Sequence, residues 1–336
     1  MAIPDWASLR HAYGSAADVP AQLAVLASPD EEERHAALGE LFTNIVHQGR
    51  RFEASAHAVP ELLTLVADPA VPDRDFVLVL LGQLAIGSAE GWLPLGLQPG
   101  GLVDPAARAT HAAVAAGVPL FARLLTDPDD GVRSMAAYLL AWFPSRRANA
   151  IPALRAAVDD PDDSTAATAR VSLGLLGAVV VEAGDRPATR WATAIALARV
   201  HGARTPPAAV DELVAWAGDP GAPELPVAFL DGDAAGYAAQ SLTLTGTDPA
   251  VLLPRLPALA GPQAVTHVDA LLRLTFPNGV PARLGAAQRA TVDALNAAPR
   301  IGEWDGNEYL NFTELIAGHG LTALVPPPGA DPAPRG

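Results

Sequence analysis

The apolar residues of this chain recur in a pattern that repeats along most of its length. A hydrophobic residue followed by Pro opens a Leu-rich stretch, an acidic turn containing Pro comes next, and an Ala- and Leu-rich stretch completes the repeat. The clearest copies begin at Val19, Val59, Val118 and Ile151. Repeats of about 30–47 residues built from two helices are typical of helical solenoids, in which each pair buries its apolar face against its neighbours.

Each repeat carries signals for two helices. In the copy that begins at Ile151, the apolar residues Ile151, Leu154 and Val158 follow helical spacing. Pro161 ends this first helix, since the residue before a proline avoids the helical region. Asp162 or Asp163 then caps the second helix.

The pattern predicts a single all-α domain over residues 1–325, an α-solenoid (superhelix) of about seven stacked helical pairs. Strand signals are weak, because the VVV run at 179–181 is the one β-branched stretch. The fifth pair is degenerate, and its first helix is reduced to roughly GAVVVEAG at 177–184. The other predicted parts are repeats at about 19–276, an inserted Gly/Pro-rich loop at 87–105, a C-terminal helical cap at 282–320 and a disordered Pro-rich tail at 326–336.

The stretch Val118–Leu140, VPLFARLLTDPDDGVRSMAAYLL, resembles the HEAT-repeat family, including the HEAT-like repeats first described in phycobilin lyases. It carries nearly all of the pattern L-P-x-L-x-x-L-L-x-D-P-D-x-x-V-R-x-x-A-A-x-x-L, and the resemblance extends from about Val19 to Phe276. The whole chain is also similar to a group of bacterial HEAT-repeat proteins that share segments like WASLRHAYGSAADVP and YLNFTELIAGHGL. The resemblance implies an architecture and no particular activity, because the pattern consists of packing and capping residues.

The resemblance also implies structural roles at the turn inside each pair. In HEAT-like repeats the acidic residue caps the second helix and the Arg bridges to the adjacent repeat, which assigns these roles to Asp129 or Asp130 and to Arg133. The alternative is a catalytic dyad, since an acid beside an arginine can have a shifted pKa. We expect the structural role.

Composition narrows the classes of partner. The chain has 22 basic residues, all Arg, against 37 acidic ones, for a net charge of −15. This charge opposes sequence-independent binding to nucleic acid or to an anionic membrane surface. The first residues, MAIPDW, show no basic and apolar segment of the kind found in signal peptides. The longest apolar run, Phe76–Ala89, is too short to span a bilayer. We therefore expect a cytoplasmic protein.

We find no sequence signature of catalysis, cofactor binding or metal binding. The chain has no Cys, and no two of its eight His residues are three or four positions apart on a helix. We therefore expect no cofactor, and the sequence favours a protein without enzymatic activity over an enzyme. One basic loop, QGRRFEASA, carries Arg50 and Arg51 between His47 and His57. It is either a contact for an anion or an acidic partner, or a solvated turn between helices.

Aromatic residues are rare in this chain, which makes their positions informative. Second helices usually line the concave face of a solenoid, and Trp, Tyr and Arg are enriched at binding hot spots. The candidate partner-binding residues are Tyr138, Trp142, Arg190, Trp191, Tyr237 and Trp92. The alternative for the helical aromatics is that they fill gaps in an Ala-lined core. Trp92 lies in the inserted loop, which either folds back over the solenoid or docks a partner.

The sequence thus favours a non-catalytic protein-interaction scaffold whose concave face binds a protein partner, most simply a basic one. An inhibitor or immunity-type protein for a basic toxin is a special case of this hypothesis. The alternatives are an enzyme on a HEAT-like fold, similar to a DNA glycosylase or a bilin lyase, or a small-ligand binder. Partner identity and oligomeric state do not follow from the sequence.

Overall fold

The computed structural model describes residues 4–89, 91–179, 184–219, 221–222 and 225–325. The chain divides into two compact units, Met1–Ala178 and Val179–Gly336. Both units are built from stacked helical pairs, the architecture of an all-α solenoid. The predicted Pro-rich tail at 326–336 lies outside the described residues.

The first unit contains the four clearest predicted pairs. The helices are α1 (Val19–Val25), α2 (Glu31–Asn44), α3 (Glu53–Ala67), α4 (Arg74–Ile86), α5 (Pro105–Ala115), α6 (Val118–Leu124), α7 (Asp130–Leu140), α8 (Arg147–Ala157) and α9 (Asp163–Leu175). Second helices pack on second helices (α4 on α7, α7 on α9), and first helices pack on first helices (α6 on α8). The repeat pattern does not predict α5, which precedes α6 and packs on α3 and α4.

Asp residues start the second helices, as predicted. The Asp129 carboxylate accepts a hydrogen bond from the Val132 N–H at 3.1 Å, and the Asp162 carboxylate accepts one from Thr165 at 2.7 Å. Asp30 caps α2 in the same way. Each cap satisfies a backbone donor at a helix start that has no partner within the helix.

Two short hairpins are the strand content of the first unit. Strand β1 (Arg10–His11) pairs with β2 (Gly14–Ser15), and β3 (Val46–His47) pairs with β4 (Arg50–Arg51). In the second hairpin Gln48 and Gly49 both have positive φ, 48° and 74°. This is the type I′ geometry of two-residue turns, which glycine adopts without strain. The predicted basic loop is therefore a hairpin between α2 and α3.

The inserted loop folds back onto the first unit. The indole of Trp92 donates to the carbonyl of Ile86 at 3.0 Å, and Leu93 is buried. A Cβ on Gly96 would lie 3.3 Å from the side chain of Leu175, so the loop backbone lies against α9. Of the two interpretations of this loop, folding back is confirmed.

The second unit departs from the repeat pattern in two places. Residues 177–179 and 184, the described part of the predicted first helix of pair five, are not helical. Pair seven begins with 3₁₀ turns at Pro249–Val251 and Leu253–Ala258, because Pro254 and Pro257 remove backbone donors that an α-helix needs. The elements of this unit are α10 (Pro187–His201), α11 (Pro207–Trp216), α12 (Ala234–Leu242), α13 (Gly261–Thr275), α14 (Ala286–Ala297), β5 (Glu303–Trp304), β6 (Asn307–Glu308) and α15 (Leu310–Gly318).

Candidate functional site

Three arginines link successive pairs of the first unit through the turns inside each pair. Arg34 Nε donates to Asp73 at 2.8 Å, and Arg133 donates to both oxygens of Asp160 at 3.0 and 3.1 Å. Each arginine lies at the start of one second helix, and its partner lies in the turn of the next pair. The bridging role predicted for Arg133 is confirmed.

The middle link is the most buried of the three. Arg74 donates to the two oxygens of Asp127 at 2.8 and 2.9 Å, and each side chain is 8 % exposed. Burial by itself would raise the pKa of Asp127, but the hydrogen bond from Arg74 and the charges of Arg74 and Arg133 lower it. Asp127 is therefore a carboxylate at neutral pH, and its charge is balanced inside the structure.

Outside these links, the same turns carry a row of exposed acidic side chains, which we call the acidic edge. Neighbouring turns are in contact: Thr165 Oγ1 donates to the Asp130 carbonyl at 3.4 Å, and a Cβ on Gly131 would lie 3.4 Å from Asp75 Oδ2. The row is therefore continuous over four pairs. The acidic edge consists of Asp30, Glu31, Glu32, Glu33, Asp68, Asp129, Asp130, Asp159 and Asp163.

An exposed aromatic side chain lies within the acidic edge. Phe76, in the first turn of α4, is 46 % exposed, and its ring makes an edge contact with His35 at 5.7 Å. His35 Nε2 is in turn 3.4 Å from Asp73. Burial raises the pKa of the adjacent Asp75, and the charge of Asp129 raises it further. Phe76 thus offers an exposed apolar contact beside His35 and Asp75, and sequence reasoning missed it because Phe76 begins an apolar run that predicts a buried helix.

The aromatic residues that the sequence suggested for a partner contact lie in the core instead. Trp142, Trp191 and Tyr237 are 0 % exposed, and Tyr138 is 8 % exposed. The Trp191 indole donates to the carbonyl of Ala234 at 2.9 Å, a fully internal bond. As placed, these rings offer no surface to a partner, so the groove interpretation is corrected. They fill space between helices lined by alanines, which is the alternative interpretation.

The other two candidate residues are partly accessible and are not brought together. The Arg190 side chain is 43 % exposed; its Nε lies 3.5 Å from Glu212, and its guanidinium donates to the Asp185 carbonyl. Trp92 is half-buried beneath its own loop. Their roles in partner binding remain predictions.

A buried histidine outside the acidic edge has an internal hydrogen-bond partner. The imidazole of His267 is fully buried; its Nε2 lies 3.0 Å from the Leu252 carbonyl, and burial lowers its pKa. Across the described ranges, no group of three or more His, Cys, Asp or Glu side chains could hold a metal ion. Within the same ranges, no helix is long and apolar enough to cross a membrane.

Comparison with known proteins agrees with the helical pairs. Residues 106–174, which span α5 to α9, match the family model for HEAT repeats. No curated protein matches the chain. An engineered protein of solved structure is 17 % identical over 91 % of this chain and 72 % of its own, with a TM-score of 0.36. A designed armadillo repeat protein solved in complex with the peptide (KR)4 is 14 % identical over 83 % of this chain and 99 % of its own, with a TM-score of 0.35.

At such TM-scores the solved structures carry no argument about this chain, and the assignment rests on the family match. The matched residues contain pairs three and four of the first unit, together with the Arg133–Asp160 link between them. HEAT and armadillo repeats commonly form protein-interaction scaffolds. Residues 106–174 of this chain are therefore similar to HEAT repeats.

Proposed function

We propose that this protein is a non-catalytic interaction scaffold whose acidic edge binds a basic protein partner. The observation that carries the proposal is the continuous row of exposed carboxylates along four stacked turns of the first unit. The sequence-based hypothesis placed the contact on the concave face. Because the aromatic residues expected there are buried, we move the contact to the turns.

Charge along this edge suits fast and selective association. The arginines at the turns, Arg34, Arg74 and Arg133, are each committed to an internal aspartate. The carboxylates of the acidic edge lie outside these links and are exposed to solvent; one of them, Asp159, pairs with Arg170 at 3.1 Å. Complementary charge raises the rate of encounter and disfavours acidic competitors.

Phe76 supplies what a purely electrostatic surface lacks. Binding energy is usually concentrated in a few residues, with aromatic side chains among the most frequent. The exposed Phe76 ring contacts His35 and lies beside the acidic edge, which fits a basic segment that also carries an apolar side chain. This combination favours a protein partner over a small cation.

The test is a titration of the full chain with a fluorescein-labelled octa-arginine peptide, at pH 7 and 150 mM salt. The triple variant Glu32→Gln/Asp130→Asn/Asp163→Asn removes three exposed charges and leaves the capping residues in place. Exposed charge pairs contribute about 0.2–1 kcal/mol each, so we expect about a tenfold loss of affinity. Phe76→Ala should not change octa-arginine binding but should weaken a peptide in which one central Arg is replaced by Leu.

The matched control is Glu61→Gln/Asp293→Asn/Glu314→Gln, which removes the same charge from exposed helical positions away from the acidic edge. We expect its affinity to stay within twofold of the unmodified protein. Equal losses in the two triple variants would mean that net charge alone attracts the peptide, and the acidic edge would not be a binding site.

A further inference from the structure

The edge of the first unit opposite the acidic edge carries charge of the other sign. Helix α2 starts at the acidic turn after Asp30 and ends at Asn44, next to the β3–β4 hairpin. Its 14 residues separate the two ends by about 20 Å. The turns between pairs therefore form a second edge. We call it the basic edge and define it by Tyr13, His47, Arg50, Arg51, Arg146 and Arg147.

The hairpin holds part of this edge in a fixed arrangement. His47 and Arg50 are directly opposite each other in the β3–β4 ladder, so their side chains share a face. The Tyr13 ring packs edge-on against His47 at 5.5 Å, and the Arg50 guanidinium lies 6.0 Å from the centre of the Phe52 ring. Tyr13 is 66 % exposed, and Arg50 is exposed as well.

The basic edge continues from the hairpin to the turn between α7 and α8. Strand β4, which carries Arg51, contacts helix α5, which carries His111. Burial lowers the pKa of His111, and the charge of Arg51 lowers it further. The His111 ring packs on Phe143 at 4.8 Å, and Phe143 directly precedes the short turn that leads to Arg146 and Arg147.

The cations of this edge lack the internal partners found on the other side. Among the described residues, no carboxylate forms an ion pair with Arg50, Arg51, Arg146 or Arg147, whereas Arg34, Arg74 and Arg133 are all paired. Asp104 lies near Arg51, but its carboxylate caps α5 by accepting from the Ala107 N–H at 2.8 Å. Helix dipoles do not explain this charge, because Arg146 and Arg147 lie at the N-terminus of α8, where the dipole disfavours cations.

We propose that the basic edge binds an acidic peptide segment of a second protein partner, with Arg50 and Arg147 contacting its carboxylates and Tyr13 contacting its side chains. Tyr13, Arg50 and Arg147 are all exposed, which suits an extended segment better than a small enclosed ligand. Eight extended residues span about 27 Å. The inference is independent of the acidic edge, because the two surfaces carry opposite charge at opposite ends of the helices.

The experiment titrates the full chain with a fluorescein-labelled octa-glutamate peptide at pH 7 and 150 mM salt. We expect Arg50→Glu/Arg147→Glu to weaken binding at least tenfold and Tyr13→Ala, which changes no charge, to weaken it about threefold. Arg50→Gln/Arg147→Gln serves as a milder pair if charge reversal disturbs folding in a thermal melt. The matched control is Arg123→Glu/Arg155→Glu, at two exposed arginines in the last turns of α6 and α8, which makes the same change in net charge and should change affinity by less than twofold.

Several results would overturn the proposal. The first is the absence of octa-glutamate binding at 1 mM peptide. The second is an equal loss of octa-glutamate affinity in Arg123→Glu/Arg155→Glu. The third is competition by inorganic tripolyphosphate at matched charge, which would indicate a phosphate site. A change in sedimentation of the peptide-free Arg50→Glu/Arg147→Glu variant would assign the basic edge to a second copy of this chain. Octa-arginine binding should be unchanged in the basic-edge variants. The octa-glutamate titration therefore tests the basic edge, and the octa-arginine titration tests the acidic edge independently.

Discussion

The buried link between Arg74 and Asp127 allows a quantitative test of how the pairs are held together. We consider Arg74→Met, Asp127→Leu and the double variant. Removing one partner of a buried ion pair leaves an uncompensated charge and costs about 3–5 kcal/mol of unfolding free energy. Asp127 also accepts a hydrogen bond from the Asp129 N–H at 3.1 Å, so we expect Arg74→Met to fall at the low end, about 3 kcal/mol.

The double variant separates the link from its surroundings. If the two side chains stabilise mainly each other, the double variant loses less than the sum of the single variants, with a coupling energy of about 1.5–3 kcal/mol. The assay is urea denaturation at pH 7 followed by circular dichroism. For a unit of this size 3 kcal/mol corresponds to a decrease in Tm of about 6–12 °C.

The sign of the pH dependence provides an internal check. The pKa of Asp127 is lower in the folded protein than in the unfolded chain. Asp127 therefore contributes to the unfolding free energy above its unfolded-state pKa, and this contribution is lost as the pH falls through its folded-state pKa. Arg74→Met should therefore lose less stability between pH 5 and pH 3 than the unmodified protein. Additive losses below 1 kcal/mol with an unchanged pH profile would refute the conclusion that this pair links the repeats.

Two further predictions concern buried rings. Trp142→Ala and Trp191→Ala should each lower the unfolding free energy by about 3–5 kcal/mol, since they empty fully buried volume; near-normal Tm values for both would show that the indoles are not core residues. Burial lowers the pKa of His267, so near pH 6.5 this side chain takes up a proton in the unfolded chain but not in the folded one. The unfolding free energy therefore decreases below that pH, by at most about 1.4 kcal/mol per pH unit for this site. His267→Gln should reduce the drop in Tm between pH 8 and pH 5.5, and an identical drop would exclude His267 as its source.

The sequence predicted the features that depend on local chemistry. Proline position, Asp capping and the arginine one turn later are set by neighbouring residues, so the four pairs of the first unit and the role of Arg133 could be predicted. The hairpins could not, because two-residue strands have no apolar alternation. Their one sequence signal is the turn dipeptide, Gln48–Gly49 in one hairpin and Asp305–Gly306 in another.

The candidate site was harder to predict, because in Ala-rich helices that are buried on all sides the sequence does not show which face points to solvent. In α9 every residue from 164 to 175 is buried, so no polar stripe distinguishes an inner face from an outer one. The sequence therefore suggests that Trp142 and Trp191 are surface aromatics, and that Phe76, the first residue of an apolar run, belongs to the core. The distribution of exposed charge between two edges follows from stacking, which the sequence alone does not specify.

The links between pairs have a consequence for how such a chain can change length. The bridged partners are 39, 53 and 27 residues apart in the three links, yet each arginine reaches only the next pair. The middle link spans the whole segment that holds the inserted loop and α5. A contact of this kind depends on which pair comes next and not on how much chain lies between, so new segments can be added between pairs without breaking it. The place where this protein already carries its longest insertion is therefore the natural point at which to graft a foreign loop.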